Sequence, residues 1–483
     1  MGVLTIGTPS LLGQNSLPGS HVGRPTGSAP DKDSGGTLYR PVPLDSLAKP
    51  GSAQPPAPLE ELPAEVAGFE ETLTLTGAWE EALAADSRLR AADADYQSAL
   101  HTTSAAAAEA RPLLRVNAAY EMRTDELSYR IMPPITPVPL SQPFMQREFF
   151  DFGAQLRVPL YTGGRIAHGI EAAAHGEESA GAQRETRWLD LRYRVAQEYV
   201  QVLRAQDERT VAQTYCDNLA AHLRDVRAMH REGRAPKNDV LVAEVALSDA
   251  RHSLVVARHE LDAARAALNR RLGRPLAAPL NLKALQFRPH PAQLEAATEQ
   301  ALAARPELVD LAAQAAALCH RSQQERAARK PQVFAEGVYG FRENQYQDPQ
   351  GVAGVRVGVD WNVADFGRSE HKAESLAWKS QAVQHRYDHL VSTIRLQVRR
   401  AWLHLDETRR RVEVAQAALD QADESARVTR SRYLNGLATN TDVLEAELLR
   451  VRTYRNYNHS LYDAILAVMW FQRVTASWEE SQP

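Results

Sequence analysis

The feature that most constrains this chain is a repeat of its own sequence at a fixed distance of 203 residues. At that distance Gly233 corresponds to Gly436, and Asp239 corresponds to Asp442. Ungapped self-similarity over many positions indicates an internal duplication. We therefore expect two copies of one structural unit. In each copy a very long helix, a glycine turn and a returning helix follow one another.

Upstream of each glycine, apolar residues recur at steps of three and four, which places them on one stripe of a helix. The stripes are Trp188, Leu191, Val195, Tyr199 and Val202 in the first copy, and Val391, Ile394, Val398, Trp402 and Leu405 in the second. No glycine or proline lies in residues 182–232 or between Arg368 and Asn435. Each stretch can form one uninterrupted helix. About 65 residues at 1.5 Å rise would span about 100 Å, which is more than a globular domain needs.

Composition narrows the possible classes of protein. The chain has 483 residues, of which 44% are hydrophobic, so more than one ordinary domain is possible. Its net charge of −4 comes with scattered basic residues, which argues against a nucleic-acid partner. Cys216 and Cys319 match no metal or redox spacing, and a disulfide between them has no positive support. The longest apolar run, Ala464–Trp470, is too short for a transmembrane helix.

The first 65 residues differ in composition from the rest of the chain. Residues 1–65 are rich in proline and glycine, and we expect them to be disordered. A secretory signal would need basic residues before an apolar core. No lysine or arginine precedes Arg24, and Val3–Ile6 is too brief for such a core. The sequence therefore predicts no signal peptide.

Four segments alternate apolar and polar residues, as strands with one apolar face do. Their apolar positions are Leu114, Val116, Ala118 and Tyr120; Phe152, Ala154, Leu156, Val158 and Leu160; Val333, Ala335, Tyr339 and Phe341; and Val355, Val357, Val359 and Trp361. Phe334 and Val338 blur the third pattern. A proline-rich connection, residues 132–143, is expected between the first two strands. Each pair of strands predicts a hairpin that leads into a long helix.

Two interpretations of these hairpins stay open. They could form small antiparallel sheets half-buried on the helices, or they could be part of a membrane β-barrel. Strands of nine or ten residues suit a tilted bilayer crossing. Four strands cannot close a barrel, because single-chain barrels start at about eight, so the second interpretation requires an oligomer that pools strands. The duplication, the helix length and the strand length together favour the second.

Short motifs mark both copies in the same order. They are Leu73–Leu75 with Ala78, Pro112, Pro159–Arg165, Gly233 with Asp239–Leu241, Leu268 with Leu272–Gly273, Ala303 with Arg305–Leu308, Pro331, and Gly436 with Asp442–Leu444. Each motif is weak alone, but the order and the duplication make the chain from Glu71 to Ser477 resemble the TolC-like outer-membrane efflux proteins, or outer membrane factors. The expected repeats are residues 66–275 and 276–478, followed by a short tail at 479–483.

The resemblance implies a mainly helical α+β fold. Four strands per chain would be pooled in a homotrimer as an antiparallel transmembrane β-barrel, and a coiled-coil barrel of long helices would extend from the outer membrane into the periplasm. It implies a passive exit duct for efflux or type I secretion, with no catalysis, cofactor or metal. The implied partners are outer-membrane lipid, a periplasmic adaptor protein and an inner-membrane transporter that supplies the energy.

The resemblance also assigns roles to residues. The adaptor-contacting tips fall on Gly233, Arg234 and Ala235, and on Gly436, Leu437, Ala438 and Thr439. The gate falls on Tyr433, Asp442, Glu445 and Asp239, with the Tyr433 hydroxyl as the expected hydrogen-bond donor to Asp239. Ala438 stands where the family has a basic residue that helps close the gate. The strand pattern places Arg115, Asn117, Gln155, Arg157, Arg356 and Asp360 toward the barrel lumen.

Simpler roles compete with these assignments. Asp239 and Asp442 open returning helices, where aspartate commonly caps the helix or interacts with its dipole. Gly233 and Gly436 would serve as left-handed turn residues. His385 and His389 could share a metal but lack a third ligand, so a solvated helix face is expected. No constellation indicates an enzyme, and the rival class is a soluble coiled-coil scaffold.

Overall fold

The structure is a computed structural model, and it describes residues 72–135, 138–287 and 293–478. The predicted disordered segment, the signal-peptide region and the predicted tail lie outside these residues. The helices are α1 Leu75–Ala85, α2 Ser87–Ala108, α3 Arg165–Arg231, α4 Lys237–Leu272, α5 Leu294–Ala304, α6 Pro306–Ala327, α7 Arg368–Leu434 and α8 Asn440–Thr475. The strands are β1 Leu113–Met122, β2 Leu127–Ile131, β3 Leu140–Met145, β4 Glu148–Tyr161, β5 Gln332–Arg342 and β6 Gly351–Asp360.

The two predicted long helices are continuous. α3 and α7 contain 67 residues each and begin 203 residues apart, as do the returning helices α4 and α8 with 36 residues each. At 1.5 Å rise, α3 and α7 are each about 100 Å long. α4 ends at Leu272, two residues before the predicted stop at Arg274–Pro275. Gly273 ends it because its φ of +74° is left-handed, and a Cβ there would lie 2.7 Å from the Ala85 Cβ.

Upstream of the first hairpin turn the corresponding elements lie 219 residues apart, which is 16 more than downstream. The additional residues form β2 and β3, an antiparallel ribbon in which Tyr129 stacks on Phe144 at 4.2 Å between ring centroids. The prediction of an irregular proline-rich connection was therefore wrong for Leu140–Met145. Pro143 is accommodated because a two-stranded ribbon consists of edge strands, which do not need every N–H group.

The helical region before the first hairpin divides into α1 and α2. Asp86 lies between them in an extended conformation, and its Oδ1 accepts hydrogen bonds from the backbone N–H groups of Arg88 and Leu89 at 2.8 and 2.9 Å. This side chain caps the new helix, which explains the interruption that the sequence pattern did not show. Arg305 occupies the corresponding place between α5 and α6, followed by Pro306 at the first helical position.

The main sheet has four antiparallel strands in the order β1-β4-β5-β6. Among the described residues, β1 and β6 are its edges, and each pairs with one neighbour. Both hairpins therefore combine into one sheet, with β4 and β5 joining the two copies at its centre.

Apolar helix faces form the core in equivalent places in both copies. Leu75, Ala78, Ala82, Leu191 and Val195 are buried in one cluster, and Ala297, Ala301, Ile394 and Val398 are buried in its counterpart. These residues include the stripes predicted from sequence. No helix among residues 72–135, 138–287 and 293–478 is long and apolar enough to cross a membrane.

Candidate functional site

The strand register places apolar residues in rows across one face of the four-stranded sheet. Leu114 is opposite Leu156, and Val158, Ala335 and Val357 form a further row. Side chains on this face are exposed in the single chain: Leu114 is 64%, Val355 86% and Val357 68% exposed. Exposed apolar surface of this extent indicates contact with another apolar phase or another chain.

Polar side chains occupy the opposite face. All six predicted lumen residues lie there, because Arg115 is opposite Gln155, Asn117 is opposite Gly153, and Arg157, Glu336 and Arg356 form one row. Arg157 also pairs with Asp360 at 2.5 Å, and Arg356 forms a salt bridge with Glu336. Sequence analysis missed Glu336, which is 1% exposed, although it stands at an alternating polar position of β5.

Phe334, which interrupted the predicted alternation, lies on this polar face. The Arg157 guanidinium carbon is 3.8 Å from the centroid of its ring, a cation–π contact that explains an aromatic residue among charged ones. Phe334 also closely approaches β6. A Cβ added to Gly358 would lie 2.5 Å from its ring, whereas a Cβ on Gly354 would meet only Val338, at 3.6 Å. Gly354 is therefore the position on this face that accepts a side chain.

The first helical tip is the turn between α3 and α4. Gly233 has a φ of +76°, and the N–H group of Arg234 donates to the Met229 carbonyl at 2.8 Å, which is a left-handed helix ending. Gly233 and Arg234 are exposed. Ala235 is 8% exposed and packs into a buried tip cluster, which includes Leu223, Val226, Met229, Ala243, Tyr433 and Val443. Of the three predicted contact residues, Gly233 and Arg234 are therefore accessible.

The second tip joins α7 to α8 in the same way. Gly436 has a φ of +73°, and Leu437 is 68% exposed. The Asp442 N–H group donates to the Thr439 hydroxyl at 3.2 Å, and the Thr439 N–H group donates to the Asp442 carboxylate at 2.7 Å. This is a capping box, in which two otherwise unpaired helix-end groups are satisfied. Ala438 is half-buried and packs against the tip cluster.

The four predicted gate residues occupy different environments. Asp442 and Glu445 are exposed on the first turn of α8, and the hydrogen bonds from Thr439 hold the pKa of Asp442 below its usual value. Asp239 is half-buried in the first turn of α4, where its side chain makes no capping bond. The structure thus brings Asp442 and Glu445 together, and the cap role of Asp442 is shared with Thr439.

Tyr433 lies inside the tip cluster. It is 4% exposed, and burial, followed by the charges of Asp239 and Asp225, raises the pKa of its hydroxyl. The hydroxyl has no hydrogen-bond partner among the described residues. The predicted bond to Asp239 is therefore missing within the chain, because the ring packs in the core with its centroid 5.3 Å from that of His222.

Sequence analysis missed the contacts that join the two tips. Nε2 of His222 is 2.8 Å from the Asn440 amide oxygen, and Asn440 donates to the Asp239 carbonyl at 3.3 Å. Arg430 of α7 forms a salt bridge with Asp225 of α3 at 2.8 Å. Burial lowers the pKa of His222 more than the hydrogen bond with Asn440 raises it. These residues hold α8 of the second copy against the end of the first.

A comparison with known families identifies the fold. The model of the family described as outer membrane efflux protein matches residues 78–274 and 297–463, which is most of the chain and includes both copies.

The chain belongs to the outer membrane efflux protein family.

Individual relatives agree with this assignment. The chain is 24% identical over 336 residues to the alkaline protease secretion protein AprF of Pseudomonas aeruginosa, and the match covers 67% of this chain and 66% of that protein, just under two thirds of its length. The outer membrane protein VceC of Vibrio cholerae has a similar structure, with a TM-score of 0.71, 16% identity, and coverage of 83% of this chain and 95% of that one. The MtrE outer membrane channel of Neisseria gonorrhoeae gives 0.69, 17%, 83% and 88%, respectively.

Membership of the efflux family gives the geometry a common frame. The family and the similar structures are channels, not enzymes. In this chain the sheet provides a face for each environment, and the glycine turns lie at the far ends of α3 and α7. The individual gate, tip and lumen assignments remain predictions.

Proposed function

We propose that this chain is one subunit of a homotrimeric outer-membrane channel that serves as a passive exit duct. The observation that carries the proposal is the four-stranded sheet, which has two free edges and one exposed apolar face. Strand edges with unpaired N–H and carbonyl groups are not stable in hydrocarbon. Pairing β6 of one copy with β1 of the next removes every edge when three copies pool twelve strands.

The helices supply the second part of the proposal. α3 and α7, each about 100 Å long, would line a tunnel that continues from the membrane into the periplasm. Their exposed tips, at Gly233 and Gly436, would contact a periplasmic adaptor protein. The adaptor would connect the duct to an inner-membrane transporter, which supplies the energy for transport.

The substrate is most specifically indicated by AprF, whose name assigns it to protease secretion. That similarity favours a protein cargo exported by type I secretion. Efflux of small molecules is the second candidate, since the family is named for it.

Reconstitution into planar bilayers tests the channel directly. The purified full-length protein should form discrete conductance steps, and the same preparation should fractionate with outer membranes and require detergent for extraction. A chain that remained in the soluble fraction and produced no conductance would instead support the scaffold alternative.

Cargo is tested in cells that lack the chain. Loss of an exported protein from the medium, restored by the wild-type gene, supports secretion. Unchanged secretion together with increased sensitivity to small toxic molecules supports efflux instead.

A further inference from the structure

One group of side chains outside the sheet and the tips has the composition of a metal site. His168, Glu171 and His175 lie on α3 at positions i, i+3 and i+7, so they share one face of the helix. His320 faces them from α6. Ligand atoms of Glu171, His175 and His320 all lie within 4.8 Å of one another.

The fourth residue, His168, adjoins this group. Its Nδ1 is 3.4 Å from Nδ1 of His320. Two nitrogen ligands of a tetrahedral zinc ion, each bound at 2.0–2.1 Å, are about 3.4 Å apart. The separation therefore suits two imidazoles that share one ion. A hydrogen bond between two neutral rings would also produce it, so the pair alone does not decide the matter.

His175 has the second contact typical of a metal ligand. Its Nδ1 is 3.0 Å from the Glu178 carboxylate, the partner that orients many metal-binding imidazoles. With the proton on Nδ1 donated to Glu178, the lone pair of Nε2 is free to bind a cation. Its ring stacks on that of His320, with centroids 5.5 Å apart.

Small residues allow the two helices to approach at this level. A Cβ added to Gly169 would lie 2.9 Å from the Gln324 amide nitrogen, and Ala172 and Ala317 are buried. This approach brings side chains from α3 and α6 close enough to share a ligand. The imidazoles are half-buried and Glu171 is exposed, so a hydrated ion from solution can reach them.

We propose that Glu171, His175 and His320 bind one divalent transition-metal ion of the zinc class, with His168 as a fourth ligand. Imidazole with one carboxylate suits Zn²⁺, Ni²⁺ and Co²⁺ more than it suits Mg²⁺ or Ca²⁺, which take oxygen ligands. The bound ion would link α3 to α6 directly below the strands. This inference does not depend on the proposed export function.

Calorimetric titration of the full-length, chelator-treated protein in detergent with Zn²⁺ tests the site. We expect one zinc ion per chain. His320→Ala should raise the Kd at least about tenfold, because loss of a supporting residue alone commonly costs that much. Glu171→Gln, an isosteric change of an exposed residue, should also weaken binding without disturbing the fold. Co²⁺ should give the visible absorption of a four-coordinate ion in the wild type and lose it in His320→Ala.

The exposed pair His385 and His389 on α7 provides the matched control, because it has the same residue type at a helical spacing of four. The double alanine variant of that pair should bind zinc as the wild type does. The inference fails if the wild type binds no more zinc than a His168→Ala, His175→Ala, His320→Ala triple variant with unchanged helical circular dichroism. It also fails if the control pair, rather than His320, accounts for the binding.

Discussion

The buried hydroxyl of Tyr433 shows how one side chain can lose a role predicted from sequence. A gate bond from Tyr433 to Asp239 would predict a higher conductance for Tyr433→Phe. In the structure the hydroxyl is buried without a partner. Removing such a group relieves an unsatisfied donor, so we expect Tyr433→Phe to leave the conductance unchanged and to raise the free energy of unfolding by about 1 kcal/mol. Bilayer recordings and thermal unfolding measure the two effects. A clear rise in conductance would restore the bond between subunits.

Asp442 and Glu445 remain the strongest gate candidates among the predicted residues. Both are exposed on one turn of α8, and three copies around an axis would collect six carboxylates that attract cations. We expect the double variant Asp442→Ala, Glu445→Ala to weaken block of the channel by divalent or trivalent cations added from the periplasmic side.

The capping box complicates that experiment, because Asp442 also stabilises the start of α8. Thr439→Ala is the matched control, since it breaks the same box but keeps both carboxylates. Loss of a helix cap costs about 0.5–2 kcal/mol. If Thr439→Ala weakened the block as much as the double variant did, fraying of α8 rather than the lost charge would explain the result.

Among the helices, the start of α6 is joined to the end of α8 by buried charges. Arg473 donates to Asp190 and to Glu307 at 2.8 Å each, and Arg305 pairs with Glu307 at 2.7 Å. Burial alone would raise the pKa of Glu307, but the two arginines lower it to about 2. The carboxylate therefore stabilises the folded chain above pH 4.5, and that contribution is lost as the pH falls toward 2.

Glu307→Gln should lower the free energy of unfolding at pH 7 by about 3–5 kcal/mol, because it leaves two buried arginines without their shared partner. The difference in melting temperature from the wild type should narrow as the pH falls from about 5 toward 3. Glu299→Gln, at an exposed position of α5, is the control and should change little at either pH. A pH-independent difference would show that the charge of Glu307 is not what stabilises this joint.

In the sheet, β6 allows the two faces to be compared at matched depth. Val357 lies on the apolar face and Gly354 on the polar face, equally far from the middle of Gly351–Asp360. We expect Val357→Arg to lower the stability of the assembled protein by about 2–4 kcal/mol, and Gly354→Arg to cost much less. Gly358→Arg is unsuitable as the polar-face control because its Cβ would contact Phe334.

Heat dissociation of the oligomer on gels and the yield of folded protein in membranes measure this pair. Equal loss in Val357→Arg and Gly354→Arg would mean that the faces are assigned incorrectly. Greater loss in Gly354→Arg would mean that they are reversed.

For the whole molecule, the open edges of the sheet predict the oligomeric state. A single chain leaves one unpaired edge on β1 and another on β6, and lipid cannot satisfy them. We therefore expect crosslinking in detergent to trap trimers and to reveal no stable folded monomer. A fully folded monomer that persisted at nanomolar concentration would contradict the pooled barrel.

Sequence alone determined the features that repeat along the chain. The duplication, the uninterrupted helices, the left-handed turns at Gly233 and Gly436 and the two faces of each strand all follow from local periodicity and from backbone preferences. The motifs then sufficed to indicate the family, and even the short pattern of His168, Glu171 and His175 was visible, although nothing in it pointed to a partner.

Only the tertiary structure decided which distant residues meet. It brought His320 to His175 across 145 residues, buried Tyr433 beside His222, covered Glu336 with charged neighbours, and paired β2 with β3 in the insertion. It also showed that Ala235 packs inside and that Gly358 has no room for a side chain. Burial and pairing depend on surfaces contributed by other helices and strands. Periodicity reports which face of an element is apolar, but it does not report what that face contacts.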